Sequence, residues 1–224
     1  MVPYCNSSRN KLFNSAALYE GAILVDDPFA GADFAALAQL NGGEFDDRGL
    51  ESIAYDMENY LRRLGPSAAA SSFAALKALV PENPFASDGI LGMHTDTMPI
   101  LRKSLEDPTA PPDMSAFLAL RLRYLKIFNA AMAAHRLDAL AFPQSSAELP
   151  GVFDKATYPA TTVSEINIAG LPGVTVPAGR FRNGSPFSLI FVGPMWSEPA
   201  LLSLAYAYEQ ATRHRIVPKL IEKI

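Results

Sequence analysis

The chain has 224 residues, 49% of them hydrophobic and 19% charged. That balance excludes a disordered or fibrous protein and fits one or at most two globular domains. The net charge of −4 leaves no basic surplus to displace counterions from phosphates, which argues against nucleic-acid binding. Cys5, the one cysteine, cannot build a disulfide framework, so a reduced, cytoplasmic protein is the expectation. Met1 to Asn14 mixes Asn, Ser, Arg and Lys where a secretory segment needs an apolar stretch. Nowhere do roughly 18 apolar residues run together, so no membrane span is expected.

Leu12, Phe13, Ala16, Ala17 and Leu18 suggest a short amphipathic helix over Ser8 to Glu20. Gly21 is placed to stop it before the apolar run Ala22 to Val25, which reads as a strand. The next helix has the clearest period: Leu50, Ile53, Ala54, Met57, Tyr60, Leu61 and Leu64 form one apolar face. Asp46 and Asp47 near its start and Arg62 and Arg63 in its last turn complement the helix dipole, and Gly65 and Pro66 end it. Glu51, Asp56 and Glu58 fall on what the period makes a solvated face.

Ser67 to Leu79 is compatible with a helix. Pro81 to Met98 shows no period and reads as loop, and the whole stretch 81–113 as a long loop or substrate-side insertion. Asp113 is suited to capping the helix marked by Phe117, Leu120, Tyr124, Ile127, Phe128 and Ala131, which runs to about His135. Asp138 then precedes Ala139 to Phe142, a buried strand stopped by Pro143, at whose end ligands bind in open α/β sheets. Gln144 to Thr162 is loop. Val174 to Pro177 and Phe187 to Val192 form an antiparallel hairpin turning at Arg182, Asn183 and Gly184. Ser197 can cap a last helix with the stripe Leu201, Leu204, Ala205 and Tyr208 and a basic end at Arg213, His214 and Arg215. Helices alternating with short strands predict an α/β fold, a mixed β-sheet flanked by helices.

No catalytic constellation stands out. His94, His135 and His214 are far apart, in no HExxH or Cys/His pattern, and no metal site is expected. Ser185 follows Asn183 and Gly184 in a turn and lacks the strand-to-helix setting of a nucleophile elbow. Gly170, Gly173 and Gly179 do not lead into a helix as a phosphate loop would, and no cofactor is expected.

Asn167-Ile168-Ala169-Gly170-Leu171-Pro172, continuing to Pro177 and Gly179, resembles the Asn-x-Ala-Gly-x-Pro stretch of the amidase signature family. Phe191-Val192-Gly193, Ser197-Glu198, Leu201-Leu202 and Tyr206 to Thr212 are similar to that family's terminal strand and helix, in the same order. Leu137 to Pro143, Tyr60-Leu61 and Gly21 to Val25 resemble upstream elements, so the likeness spans the chain from about Ser15. It covers only the C-terminal portion of the family pattern. Such enzymes carry a catalytic Lys, a Gly/Ser loop with a bridging Ser, and the Ser nucleophile in the preceding half. Ser7-Ser8, Ser71-Ser72 and Ser145-Ser146 lack the flanking glycines of that loop.

The resemblance implies the C-terminal part of an amidase-signature α/β/α fold, a single partial domain over 1–224, from a hydrolase of carboxylic amide C–N bonds. It implies no catalytic residue in this chain. Gln144, Tyr158, Thr161 and Thr162 are candidates for a substrate-pocket wall. Asn167, Gly170, Pro172, Pro177 and Gly179 are read as structural, with Asn167 fixing backbone ahead of Gly170. The partners implied are a small-molecule amide, once the missing half is joined, and a second copy through an exposed interface. In the family branch that amidates glutamate on transfer RNA an Asp stands seven residues before this Asn; here the position is Ala160, which disfavours that branch. The alternative is a noncatalytic truncated pseudoenzyme or a ligand- or partner-binding module.

Overall fold

The computed structural model describes residues 21–32, 34, 50–89, 92, 95, 98–145, 147–151, 153–154 and 163–217. They group into two compact units, one of residues 37–123 and one of residues 1–36 with 124–224. The helix expected over Ser8 to Glu20, together with Asp46, Asp47 and His94, lies outside the described residues.

In residues 37–123 the helix with the strong period is α1, Ile53–Arg63. Leu50 to Ser52 form a turn ahead of it. Gly65 at φ +82° follows its end, donating its N–H to the Arg62 carbonyl at 3.3 Å. Its orientation corrects the sequence reading. Ala54, Glu58 and Leu61 are buried, whereas Ile53, Met57, Tyr60 and Leu64 are 44%, 37%, 52% and 46% exposed. The cause is the next two helices, which pack against the Ala54–Leu61 side.

The first of these, α2, Phe73–Ala78, is shorter than the stretch Ser67 to Leu79 allowed, and Ser72 caps it by accepting the Ala75 N–H at 3.0 Å. Glu58, expected on a solvated face, instead accepts the Phe73 N–H at 2.6 Å and Arg62 Nε at 2.9 Å. A buried carboxylate thus satisfies an N–H that the first turn of α2 leaves without an intrahelical partner.

The stretch 81–113, read as long loop, contains α3, Pro99–Glu106. Proline at the first helical position is compatible with a helix start because its missing N–H would be unpaired there anyway. Leu101, buried, faces the unit's interior. Nearby, the buried Thr95 hydroxyl lies 2.9 Å from the Gly92 carbonyl and 3.1 Å from that of Phe85.

The long helix is α4, Ser115–His135, at both ends close to its expected bounds. Asp113 accepts the Ser115 N–H at 3.0 Å, and this bond holds its carboxyl below the usual range. At the other end Arg136, at φ +52°, reverses the chain: the Leu137 N–H reaches the Met132 carbonyl and the Arg136 N–H that of Ala133. This is a Schellman stop made with a non-glycine residue. Tyr124 and Phe128 are fully buried, Phe34 edge-on to Tyr124 and stacked on Phe29.

The sheet comprises β1, Leu140–Pro143, β2, Gly173–Arg180, and β3, Pro186–Val192, in the order β1-β3-β2, with both pairings antiparallel. Between β1 and β2 lies α5, Val163–Ala169, and after β3 comes α6, Glu198–Thr212. Phe187, Leu189 and Phe191 on one face of β3 pack with Val176, Phe181, Leu201, Ala205 and Tyr208. Of the stripe expected on α6, Leu204 is 36% exposed. Ser197 occupies the N-cap position of α6 without the expected side-chain cap bond, and its hydroxyl oxygen is buried. Trp196, just before it, is at φ +69° and 83% exposed. Ala22 to Val25, expected as a strand, forms no ladder, and Ile23 is 91% exposed. An apolar run becomes a strand only where another strand accepts its backbone bonds.

Replacing Glu58 by Ala strands the Phe73 N–H, and urea denaturation should show a loss of about 2 kcal/mol. Leu189→Ala, in the sheet–helix core, should cost about 3 kcal/mol by the same measurement.

Candidate functional site

The stretch before β2 is a backbone device. Asn167 lies near the end of α5 with its side chain exposed, and the bond made there uses its carbonyl, which accepts the Gly170 N–H at 3.2 Å. The Leu171 N–H reaches back to the Ile166 carbonyl at 3.1 Å. Together these bonds form a Schellman stop with Gly170, at φ +67°, as the left-handed residue. Pro172 follows, unable to extend a helix. Its carbonyl accepts the Gly193 N–H at 3.3 Å, tying the entry of β2 to the exit of β3.

That corner is tight. A Cβ on Gly193 would meet Ser197 Oγ and, at 3.1 Å, Leu201 Cδ2. A Cβ on Gly173 would sit 3.1 Å from Ile190 Cδ1. Sequence reasoning missed the close approach of Ser197 to Gly193, although both stood in the family-like stretch. Nothing local announces a contact between a strand end and the following helix cap.

Further along, Pro177 pairs with Ser188 of β3, and a bulge between Pro177 and Gly179 leaves Gly179 at φ +134°. The bulge and the position of β2 at the edge of the described sheet are what make a strand proline acceptable. On the other side of β3, the Gln144 N–H donates to the Ser188 carbonyl at 3.0 Å. Gln144 and Pro177 therefore flank one residue of the central strand.

The register separates these two groups. Leu140 and Gly173 both align with Val192, so the Asn167–Pro172 turn adjoins the beginnings of β1 and β2. Half-buried Gln144 extends from the far end of β1. Among the pocket-wall candidates only Gln144 is described; Tyr158, Thr161 and Thr162, like Ala160, lie outside the described residues.

Ser185 is accounted for by its turn. Its hydroxyl donates to Asn183 Oδ1 at 2.6 Å and accepts the Leu149 N–H at 3.4 Å. Arg182 N–H reaches Glu148 across the same loops at 3.1 Å. Within 81–113 there is a shallow concavity of about 390 Å³, lined by Phe85, Ser87, Thr95, Arg102, Leu105 and Glu106. Among the described residues no group of His, Cys, Asp and Glu could hold a metal ion. No described helix is long and apolar enough to cross a membrane.

An Arabidopsis thaliana protein named "Probable amidase" is 47% identical over 58 residues, 26% of this chain and 11% of that protein. A glutamyl-tRNA(Gln) amidotransferase component from Parvibaculum lavamentivorans is 32% identical over 107 residues, 45% of this chain and 22% of that protein. The native peptide amidase of Stenotrophomonas maltophilia superposes with a TM-score of 0.60 at 28% identity, over 94% of this chain and 41% of the amidase. A Bacillus anthracis amidase family protein shares the fold, with a TM-score of 0.60 at 22% identity over 95% of this chain and 36% of its own. The chain thus spans less than half the length of the proteins it matches. No protein-family profile matches it.

Gly170→Ala should cost about 1 kcal/mol through its left-handed backbone, and Gly193→Ala about 1 to 3 kcal/mol through the crowding at Ser197 and Leu201. Calorimetry of the two variants checks both values.

Proposed function

We propose that this chain, which belongs to the amidase signature family, is the C-terminal portion of a hydrolase that cleaves carboxylic amide C–N bonds. In this reading it supplies walls of the substrate pocket, and the nucleophile comes from polypeptide outside these 224 residues. The observation that carries the reading is the match to peptide amidase, which takes in 94% of this chain and 42% of the amidase. Most of this chain therefore has a counterpart in an amide-cleaving fold, and most of that fold has none here.

The chemistry of the described residues agrees with a supporting role. Attack on an amide carbonyl needs a nucleophile with a base in reach and N–H donors aimed at the developing oxyanion. Ser185 hydrogen-bonds to an asparagine and a backbone amide, and Ser72 is a helix cap. Ser197 is half-buried, its hydroxyl oxygen buried and without a partner among the described residues. None of these serines has a base beside it in the bonds described. In this reading Gln144, at the end of β1, is a wall residue, together with Tyr158, Thr161 and Thr162.

The small-molecule amide is the partner in this reading, and the stretch 81–113 is an insertion on the substrate side. The cytoplasmic location rests on the single cysteine. Peptide amides are the first substrates to test, because the solved structure matched at 28% identity is a peptide amidase.

The test is ammonia release from C-terminally amidated dipeptides. The 224-residue chain alone should give no turnover above the buffer rate, and co-expression with a polypeptide carrying the family's Ser–Ser–Lys half should produce it. In that joined enzyme Gln144→Ala should raise KM several-fold, roughly 3 to 10, with kcat little changed. Turnover by the chain alone would place the nucleophile among its own residues and sink the reading.

A further inference from the structure

The exposed side of α1 has a pattern of its own. Ile53, Met57, Tyr60 and Leu64 are spaced 4, 3 and 4 residues apart, and each is more than a third exposed. On a helix of 3.6 residues per turn these positions fall within about 60° of one another and make a narrow seam. The spacing is that of alternating d and a positions in a coiled coil. A seam of this kind is too narrow for an ordinary core-facing helix, and the core-facing work is done by the neighbouring Ala54, Glu58 and Leu61.

The flanks say what fits the seam. In the same heptad Asp56 and Arg63 are g positions, both exposed, and the e positions are Ala54 and Leu61, buried in the chain's own fold. Parallel pairing would bring g residues against e positions that are already covered. Antiparallel pairing brings g against g, so that Asp56 of one copy meets Arg63 of the other, twice by symmetry. Within one copy these two charges are seven residues apart, about 10 Å along the axis, too far to pair. Arg62, the other cation of this turn, is engaged with Glu58.

We propose that α1 is a self-association surface: a second copy of this chain lies antiparallel on the Ile53–Met57–Tyr60–Leu64 seam, with Asp56 facing Arg63 of the second copy at both ends. An 11-residue helix pair is a small contact, so the dimer is a weak, concentration-dependent one. The proposal does not depend on amide hydrolysis.

Sedimentation velocity of the full chain over about 1 to 300 μM, roughly −8 to −5 kcal/mol of association free energy, tests it. The expected result is a monomer–dimer equilibrium that Asp56→Arg or Arg63→Asp weakens about tenfold each, because each substitution sets like charges against one another. An equimolar mixture of the two variants should associate at least as tightly as the parent, since the opposed charges are then restored across the pair. Both side chains are exposed, and circular dichroism verifies that the variants fold. A chain that stays monomeric throughout, as when another polypeptide owns the seam, would overturn the proposal. So would association that neither reversal weakens, or a mixture no tighter than either variant alone.

Discussion

Every ladder bond of the described sheet passes through β3. β1 and β2 do not touch each other; each is held as a strand by the seven residues Pro186–Val192 between them. The same strand sets the depth of the core, since Phe187, Leu189 and Phe191 face α6 while Val192, of opposite parity, is also fully buried. A strand closed on both faces and paired on both edges has almost no freedom to slip. A shift of one residue would exchange its faces and misalign two neighbours at once. The position of Gln144 and the route of the chain into β2 are consequences of this register.

What was legible in the sequence follows from how local each signal is. The hairpin of β2 and β3, the long helix α4 and the final helix α6 were readable because turn chemistry and helical period operate within a few residues. The run Phe187 to Val192 shows no alternation, as expected for a strand buried on both sides, and its flanking turn identified it. The face of α1 was misread because its sequence offers two adjacent apolar sides. Which one is buried depends on where α2 and α3 lie. Glu58 shows the same limit: its acceptor role depends on an amide fifteen residues away. α3 was hidden because Pro99 reads as a breaker until it is known to stand at a first turn.

The candidate site divides along the same line. The turn from Asn167 to Pro172 is a helix stop, and such a stop is written in consecutive residues. The structure assigns the work to the Asn167 carbonyl and the Gly170 backbone, and the asparagine side chain remains exposed. Pocket walls are different. They are assembled from separate loops, and a sequence pattern can name them only through likeness to proteins in which the assembly is known. Gln144 has been located at the end of its strand by the register, a long-range fact that no spacing along the chain contains.

Trp196 is the chain's single tryptophan, and it stands almost entirely in water on a left-handed turn ahead of α6. An indole already hydrated in the native state has little surrounding to lose when the chain opens. Intrinsic emission excited at the red edge of the absorption band is therefore a nearly silent witness of global unfolding. It is instead a sensitive one for any molecule that covers this single corner, so that a blue shift on adding a second component would mark where that component sits.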